Sequence, residues 1–164
     1  MPVVRISDER SDANARYVAE HLLQVTRDAM FAGEDGVRTF LDCFWLPQRI
    51  ATFTGEAMLE TEADVLTVLR QTREHFRLHR ITDLIRVVIA TSWEGPDRYK
   101  MTHMTHVMSG DLRIRDPYPA FSIHERRDGD WRICGSQYAV DDSAGHARAL
   151  DPRSGVGPVP TRLN

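Results

Sequence analysis

The pattern of apolar residues predicts an α+β chain in which helices come first and an antiparallel meander follows. Three observations lead there. Residues 81–140 hold four runs rich in Val, Ile, Tyr and Trp, at 81–93, 99–108, 118–127 and 131–140. The gaps include turn material, Glu94-Gly95-Pro96-Asp97, Ser109-Gly110-Asp111 and Asp128-Gly129, in which Gly and Pro supply the backbone angles a reversal needs. Before residue 81, apolar residues recur mainly at helical spacing. Helices followed by a block of strands argue for segregated α and β layers rather than alternating βαβ units.

Residues 1–11 read as a polar leader, without the apolar core of a signal peptide. Ser11 or Asp12 can cap a first helix, because a short oxygen-bearing side chain accepts from the N–H groups of the opening turn. Tyr17, Val18, Leu22, Val25 and Ala29 then fall at helical spacing. The helix is expected to stop at Gly33, in the turn-like run Gly33-Glu34-Asp35-Gly36. Val37, Phe40, Leu41 and Phe44 make one stripe of a second helix. Its end is expected at Pro47, since the residue before proline is pushed out of helical geometry. Residues 49–54 and 56–60, divided by Gly55, read as a small two-stranded element at the mouth of the fold. Thr61-Glu62-Ala63-Asp64 opens a third helix with a capping-box pattern in which Asp replaces Glu. Val65, Leu69, Thr72 and Phe76 line one face of it. Within the meander, Asp128-Gly129 is the strongest hairpin signal and sets Arg126 against Trp131 and His124 against Ile133. Residues 12–140 are therefore expected to form one domain, and residues 141–164, rich in Ser, Gly, Pro and Arg, a tail.

Composition narrows the function classes. With 164 residues the chain buries roughly 70% of its extended surface and needs neither metal nor disulfide to fold. The net charge of −3 and a single lysine, Lys100, leave no basic stripe, so nucleic-acid binding is not expected. No apolar run reaches the roughly 18 residues of a membrane span, so no membrane is expected either. Two cysteines, Cys43 and Cys134, are too few for a disulfide scaffold and suit a cytoplasmic protein with reduced thiols. No cofactor and no metal are expected. His75 and His79 share a helix face at chelating spacing, but the run His-Phe-Arg-Leu-His lacks the glutamate of the zinc-protease motif, and histidines in a last turn serve the helix dipole.

The candidate site residues come from strand and helix faces. His103 and His106 lie three apart on one strand, so they face opposite sides and only one looks inward. An inward histidine can act as a general base near neutral pH, or serve as a hydrogen-bonded core residue. Arg86 is a single charge amid Leu84, Val88 and Ala90, and needs an acidic partner or an anionic ligand. Tyr17, Phe44, Trp45, Met101 and Tyr118 either line a pocket or fill the core. Both faces of the sheet carry apolar area while helices can cover only one. The uncovered face predicts a homodimer through the sheets.

The element order resembles the nuclear-transport-factor-2-like superfamily, and within it the SnoaL-like branch. The residues that carry the likeness are Leu46-Pro47 after the second helix and the terminal hairpin with Asp128-Gly129-Asp130-Trp131-Arg132-Ile133. The resemblance covers about residues 12–140. It implies a cystatin-like cone: a strongly curved antiparallel sheet wrapped around the N-terminal helices, with a pocket at the open end. It also implies dimerisation through the sheets. The superfamily holds isomerases, dehydratases, epoxide hydrolases, cyclases and non-enzymatic carriers, so the fold does not select the function. Tyr17 matches the helix-one tyrosine of ketosteroid-isomerase-like enzymes. Their acid on the penultimate strand is absent, since Phe121, Ser122 and Ile123 stand there. The Asp–Arg–Asp cluster of limonene-epoxide-hydrolase-like enzymes is not reproduced, because Asp83 and Arg86 point to opposite faces.

Two readings of function follow. One is a lyase or isomerase acting on a small apolar molecule by proton transfer from His103, with Tyr17 as hydrogen-bond donor. The other is a non-catalytic ligand-binding or accessory subunit working through its sheet-face dimer, with Arg86, Phe44, Trp45, Met101 and Tyr118 against the ligand.

Overall fold

Seven strands form one curved, unclosed sheet in the computed structural model, which describes residues 11–140 and 145–153. Residues 1–10 of the expected leader and residues 141–144 and 154–164 of the expected tail lie outside the described residues.

Helix α1 spans Asp12–Phe31. Ser11 caps it, its Oγ accepting from the Asn14 N–H at 3.1 Å. Ala15, Val18, Ala19, Leu22, Thr26 and Ala29 make its buried stripe. Arg73 holds the far end by donating to the Met30 and Ala29 carbonyls at 3.0 and 2.9 Å, in the turn where helix carbonyls run out of internal partners. Gly33, at φ 63°, follows the cap residue Ala32 and turns the chain into the 3-10 turn Gly33–Gly36.

Helix α2 is only Val37–Leu41, which corrects the expectation of a helix reaching Pro47. Strand β1, Phe44–Thr52, begins three residues later and contains Pro47 behind a cis peptide bond. The apolar stripe was real, since Phe40 is buried and Val37, Leu41 and Phe44 pack against the same cluster. Burial, not helix, is what its spacing reported. Phe44 reaches the core from a strand because the neighbouring backbone is claimed by the sheet: the Ile133 N–H donates to the Cys43 carbonyl at 2.8 Å. Pro47, with no N–H to give, sits where the ladder shifts register between Phe44 and Arg49.

β1 and β2, Gly55–Leu59, form a hairpin. It is not a separate element at the mouth. β1 pairs in parallel with β7, Asp130–Tyr138, so the hairpin extends the main sheet and makes it mixed. Helix α3 spans Glu62–Leu78 and carries the capping box in full, Thr61 Oγ1 accepting from Asp64 N–H and Asp64 Oδ2 from Thr61 N–H. β3, Asp83–Gly95, β4, Arg98–Ser109, and β6, Tyr118–Arg127, complete the expected meander, with a two-residue β5, Leu112–Arg113, beside β4. The order across the sheet is β2-β1-β7-β6-β4-β3. Asp128 and Gly129, at φ 53° and 88°, make the tight turn, and Arg126–Trp131 and His124–Ile133 are paired as expected. Helix α4, His146–Ala149, lies within the expected tail, with Ala147 and Ala149 buried.

Register shifts in β3 between Val88 and Ala90, and in the β6–β7 ladder between Ile123 and His124, bend the sheet around α1. Arg16 donates to the Val88 carbonyl at 2.8 Å and Arg27 pairs with Asp83 at 2.8 Å, tying α1 to β3. Two clusters fill the hollow side. Val18, Leu22, Val88, Tyr99, Met101 and Ile133, with Trp93 and Trp131 against them, close one end. Met30, Phe40, Ile50, Leu59, Val65, Val68, Leu69 and Phe76 belong to the other. Among the described residues no helix is long and apolar enough to cross a membrane.

Candidate functional site

Strand alternation decides what reaches the interior. On β4 the inward residues are Tyr99, Met101, His103, Thr105 and Val107, all buried, while His106 lies on the other side. On β6 the inward set includes Ala120, Ser122 and His124, and on β3 it includes Leu84, Arg86 and Val88.

A cavity of about 110 Å³ lies between these strands and helices α1, α2 and α3. Met30, Phe40, Phe44, Ile50, Val65, Val68 and Phe76 make its apolar wall. Its surface is mainly apolar, and Thr26, Gln48, Thr72, His75, Arg86, Thr105, Tyr118, Ser122, Ser136 and Tyr138 add polar groups to it. No Asp or Glu among the described residues lines it. Among the described residues no group of three or more His, Cys, Asp or Glu is placed to hold a metal ion.

Three of the seven candidate residues meet at this cavity: Arg86, Phe44 and Tyr118. Arg86 is the chemically distinctive one. Its Nη2 donates to the Leu23 carbonyl and to Thr26 Oγ1, the latter at 2.9 Å, while Nε has no hydrogen-bond partner. Burial pulls its pKa down from the ordinary arginine value, because a desolvated charge is disfavoured. Tyr118 is pushed up to about 12, chiefly by burial, and stays a neutral phenol.

The other four lie elsewhere. His103 is buried beside the cavity wall, with Nδ1 3.4 Å from Met101 Sδ and no partner on Nε2. Burial, and then the charge of Arg86, hold its pKa down at about 3, so the ring is neutral. Met101 is packed in the closed end with Tyr99 and Trp93. Tyr17 is 52% exposed, because the buried stripe of α1 runs through its neighbour Val18. Trp45 donates its Nε1 proton to the Glu125 carbonyl at 2.8 Å, and Arg132 and Arg127 stand over its ring at 4.2 and 5.2 Å.

Sequence reasoning passed over Gln48, Ser122, Ser136, Tyr138 and His124. The period-2 alternation of β6 and β7 carries the signal for most of them, since it places Ser122 and His124 on the side of Ala120. His124 Nδ1 lies 2.7 Å from Tyr99 Oη, and burial holds the imidazole at about 3. Gln48 follows the misread Pro47 and was hidden with it.

A curved sheet around a long helix, with a cavity beneath, defines the class: the chain has the nuclear-transport-factor-2-like, cystatin-like fold. Solved structures similar to it are at most distant in sequence. A protein of unknown function with a cystatin-like fold from Nostoc punctiforme is 19% identical, with a TM-score of 0.57 over 82% of this chain and 96% of that one. A nuclear-transport-factor-2-like protein of unknown function from Shewanella oneidensis is 10% identical, with a TM-score of 0.56 over 74% and 96%. A hexachlorocyclohexane dehydrochlorinase from Novosphingobium barchaimii is 14% identical, with a TM-score of 0.54 over 77% and 86%. No protein-family model and no curated protein matches the sequence.

Proposed function

We propose that this protein binds a small molecule in the cavity between its sheet and helices α1 to α3. The observation that carries the reading is the composition of the wall, in which an apolar side and a set of buried polar groups converge on one space. Such a mixture orients a ligand as well as burying it. Ligand-observed NMR with a library of small fragments should find binders, and Val68→Phe, which fills the space, should displace them. A screen without any binder sensitive to Val68→Phe would refute the proposal.

A second reading, a lyase or isomerase moving a proton, keeps His103 as the candidate base: its Nε2 has no partner, but it stands outside the cavity lining and burial makes it a weak base at neutral pH. The dehydrochlorinases among the similar structures are enzymes by name. Turnover of a cavity ligand that survives His103→Ala would remove this reading. The accessory-subunit reading uses the outer sheet face, where Ile85, Val87, Ile89 and Phe121 are about half exposed. It requires a homodimer through that face, and light scattering that shows a monomer at micromolar concentration would exclude it.

A further inference from the structure

The cavity wall holds a cation with no ion-pair partner among the described residues. We propose that the cavity takes a small monocarboxylate, one oxygen on the Arg86 guanidinium and its apolar body against Met30, Phe40, Phe44 and Val68. This inference rests on the cavity reading above and adds the ligand's charge and size.

Arg86 gives its Nη2 protons to two neutral acceptors, the Leu23 carbonyl and Thr26 Oγ1, and its Nε proton to none. Among the described residues no carboxylate forms an ion pair with it, and none lines the cavity. Other arginines of this chain are treated differently. Arg27 is paired with Asp83 and Asp28, Arg38 with Asp42 and Glu62, and Arg98 with Glu94 and Glu125. Asp83, on the same strand as Arg86, is thus already taken by Arg27. A guanidinium does not shed its proton at neutral pH. Burying one without a counter-charge is costly, and a ligand that brings the counter-charge removes that cost.

A second observation points the same way. The Arg115 guanidinium lies 5.1 Å from the centre of the Tyr118 ring, and its buried Nε and Nη1 have no hydrogen-bond partner. Tyr118 therefore carries a cation over its ring and also lines the cavity that Arg86 lines. The neighbourhood carries positive charge twice over, with the Tyr118 and Tyr138 hydroxyls as further donors.

Size and wall chemistry then choose among anions. At about 30 Å³ of liquid volume per water the cavity of 110 Å³ has room for roughly four waters. That fits a short-chain acid, being smaller than the roughly 150 Å³ that accommodates a benzene ring. A phosphate dianion would leave Phe40, Phe44 and Val68 without an apolar group to cover them. A carboxylate can accept through one oxygen from the guanidinium, whose Nη2 protons are already taken, and leaves the rest of the molecule for the apolar wall.

The test is calorimetric titration of propionate and butyrate, each against its uncharged amide, propionamide or butyramide. In the wild type at least one acid should bind about ten-fold or more tighter than its amide, the scale of one charge-assisted contact. In Arg86→Met that preference should vanish while amide affinity stays. An acid preference below that threshold in the wild type, binding of neither form, or a preference that survives in folded Arg86→Met overturns the assignment. Amides that bind without an acid preference sink the charge recognition alone and leave the cavity reading standing. Should Arg86→Met fail to fold, the wild-type comparison decides by itself.

Discussion

Acidification from pH 7 to pH 5 should unload much of this protein's stability through two imidazoles. His103 is 2% exposed and His124 is fully buried. Burial holds both at about 3 in the folded chain, with the Arg86 charge adding to the effect on His103. In the unfolded chain each returns to about 6.5. As pH falls through that value, the unfolded chain takes up two protons that the folded chain refuses, so the equilibrium moves toward unfolding. Above it neither state gains a proton and the effect is absent. At pH 5 the imbalance is about 2 kcal/mol for each histidine and about 4 kcal/mol for both. That is a large part of the 5–15 kcal/mol, or about that, that holds an ordinary domain together. The figure is insensitive to the folded values as long as they stay well below 5. Carboxylates held low by arginines, such as Asp83 and Glu125, lose their contribution mainly at lower pH, so the window between 7 and 5 isolates the imidazoles. Urea unfolding at pH 7, 6 and 5 measures the loss, and His103→Gln/His124→Gln should flatten the profile. An unchanged urea midpoint between pH 7 and 5, or an NMR titration of His103 near 6.5 in the folded protein, would refute the reasoning.

Other substitutions probe separate parts of the structure. Gly36→Ala sets a methyl group 2.3 Å from the Ala29 carbonyl oxygen of α1, and should cost about 1–3 kcal/mol in chemical denaturation as the connection is forced away. Leu69→Ala, at a fully buried position of α3, should cost about 2–5 kcal/mol. Thr61→Ala removes the oxygen that accepts from the Asp64 N–H and should lower stability by about 1 kcal/mol in the same assay. Arg86→Met should raise the urea midpoint, worth about 1 kcal/mol or more, because a desolvated charge is replaced by an apolar chain of similar length. A fall instead would make Arg86 a structural residue.

Local chemistry wrote most of the secondary structure into the sequence. Ser11, the Thr61 and Asp64 pair, and Asp128-Gly129 act on backbone groups within a few residues, so helix starts and the hairpin register were legible without the fold. The alternation along β4 and β6 separated His103 from His106 in the same way. Pairing across the chain was not legible. Residues 37–44 have helical spacing, yet Phe44 is a strand residue because β7, some ninety positions later, offers Ile133 as its partner. The parallel β1–β7 ladder, the resulting place of Gln48 in the cavity wall and the docking of α4 all depend on segments that meet only after folding. The same holds for charge. Arg86 is plain in the sequence as one cation in an apolar strand, but a sequence does not say which carboxylates come near. Only the packed chain hands Asp83 to Arg27 and leaves Arg86 facing a cavity that no carboxylate of the described residues lines, because electrostatic partnership is set by distance in space and by water excluded along the way.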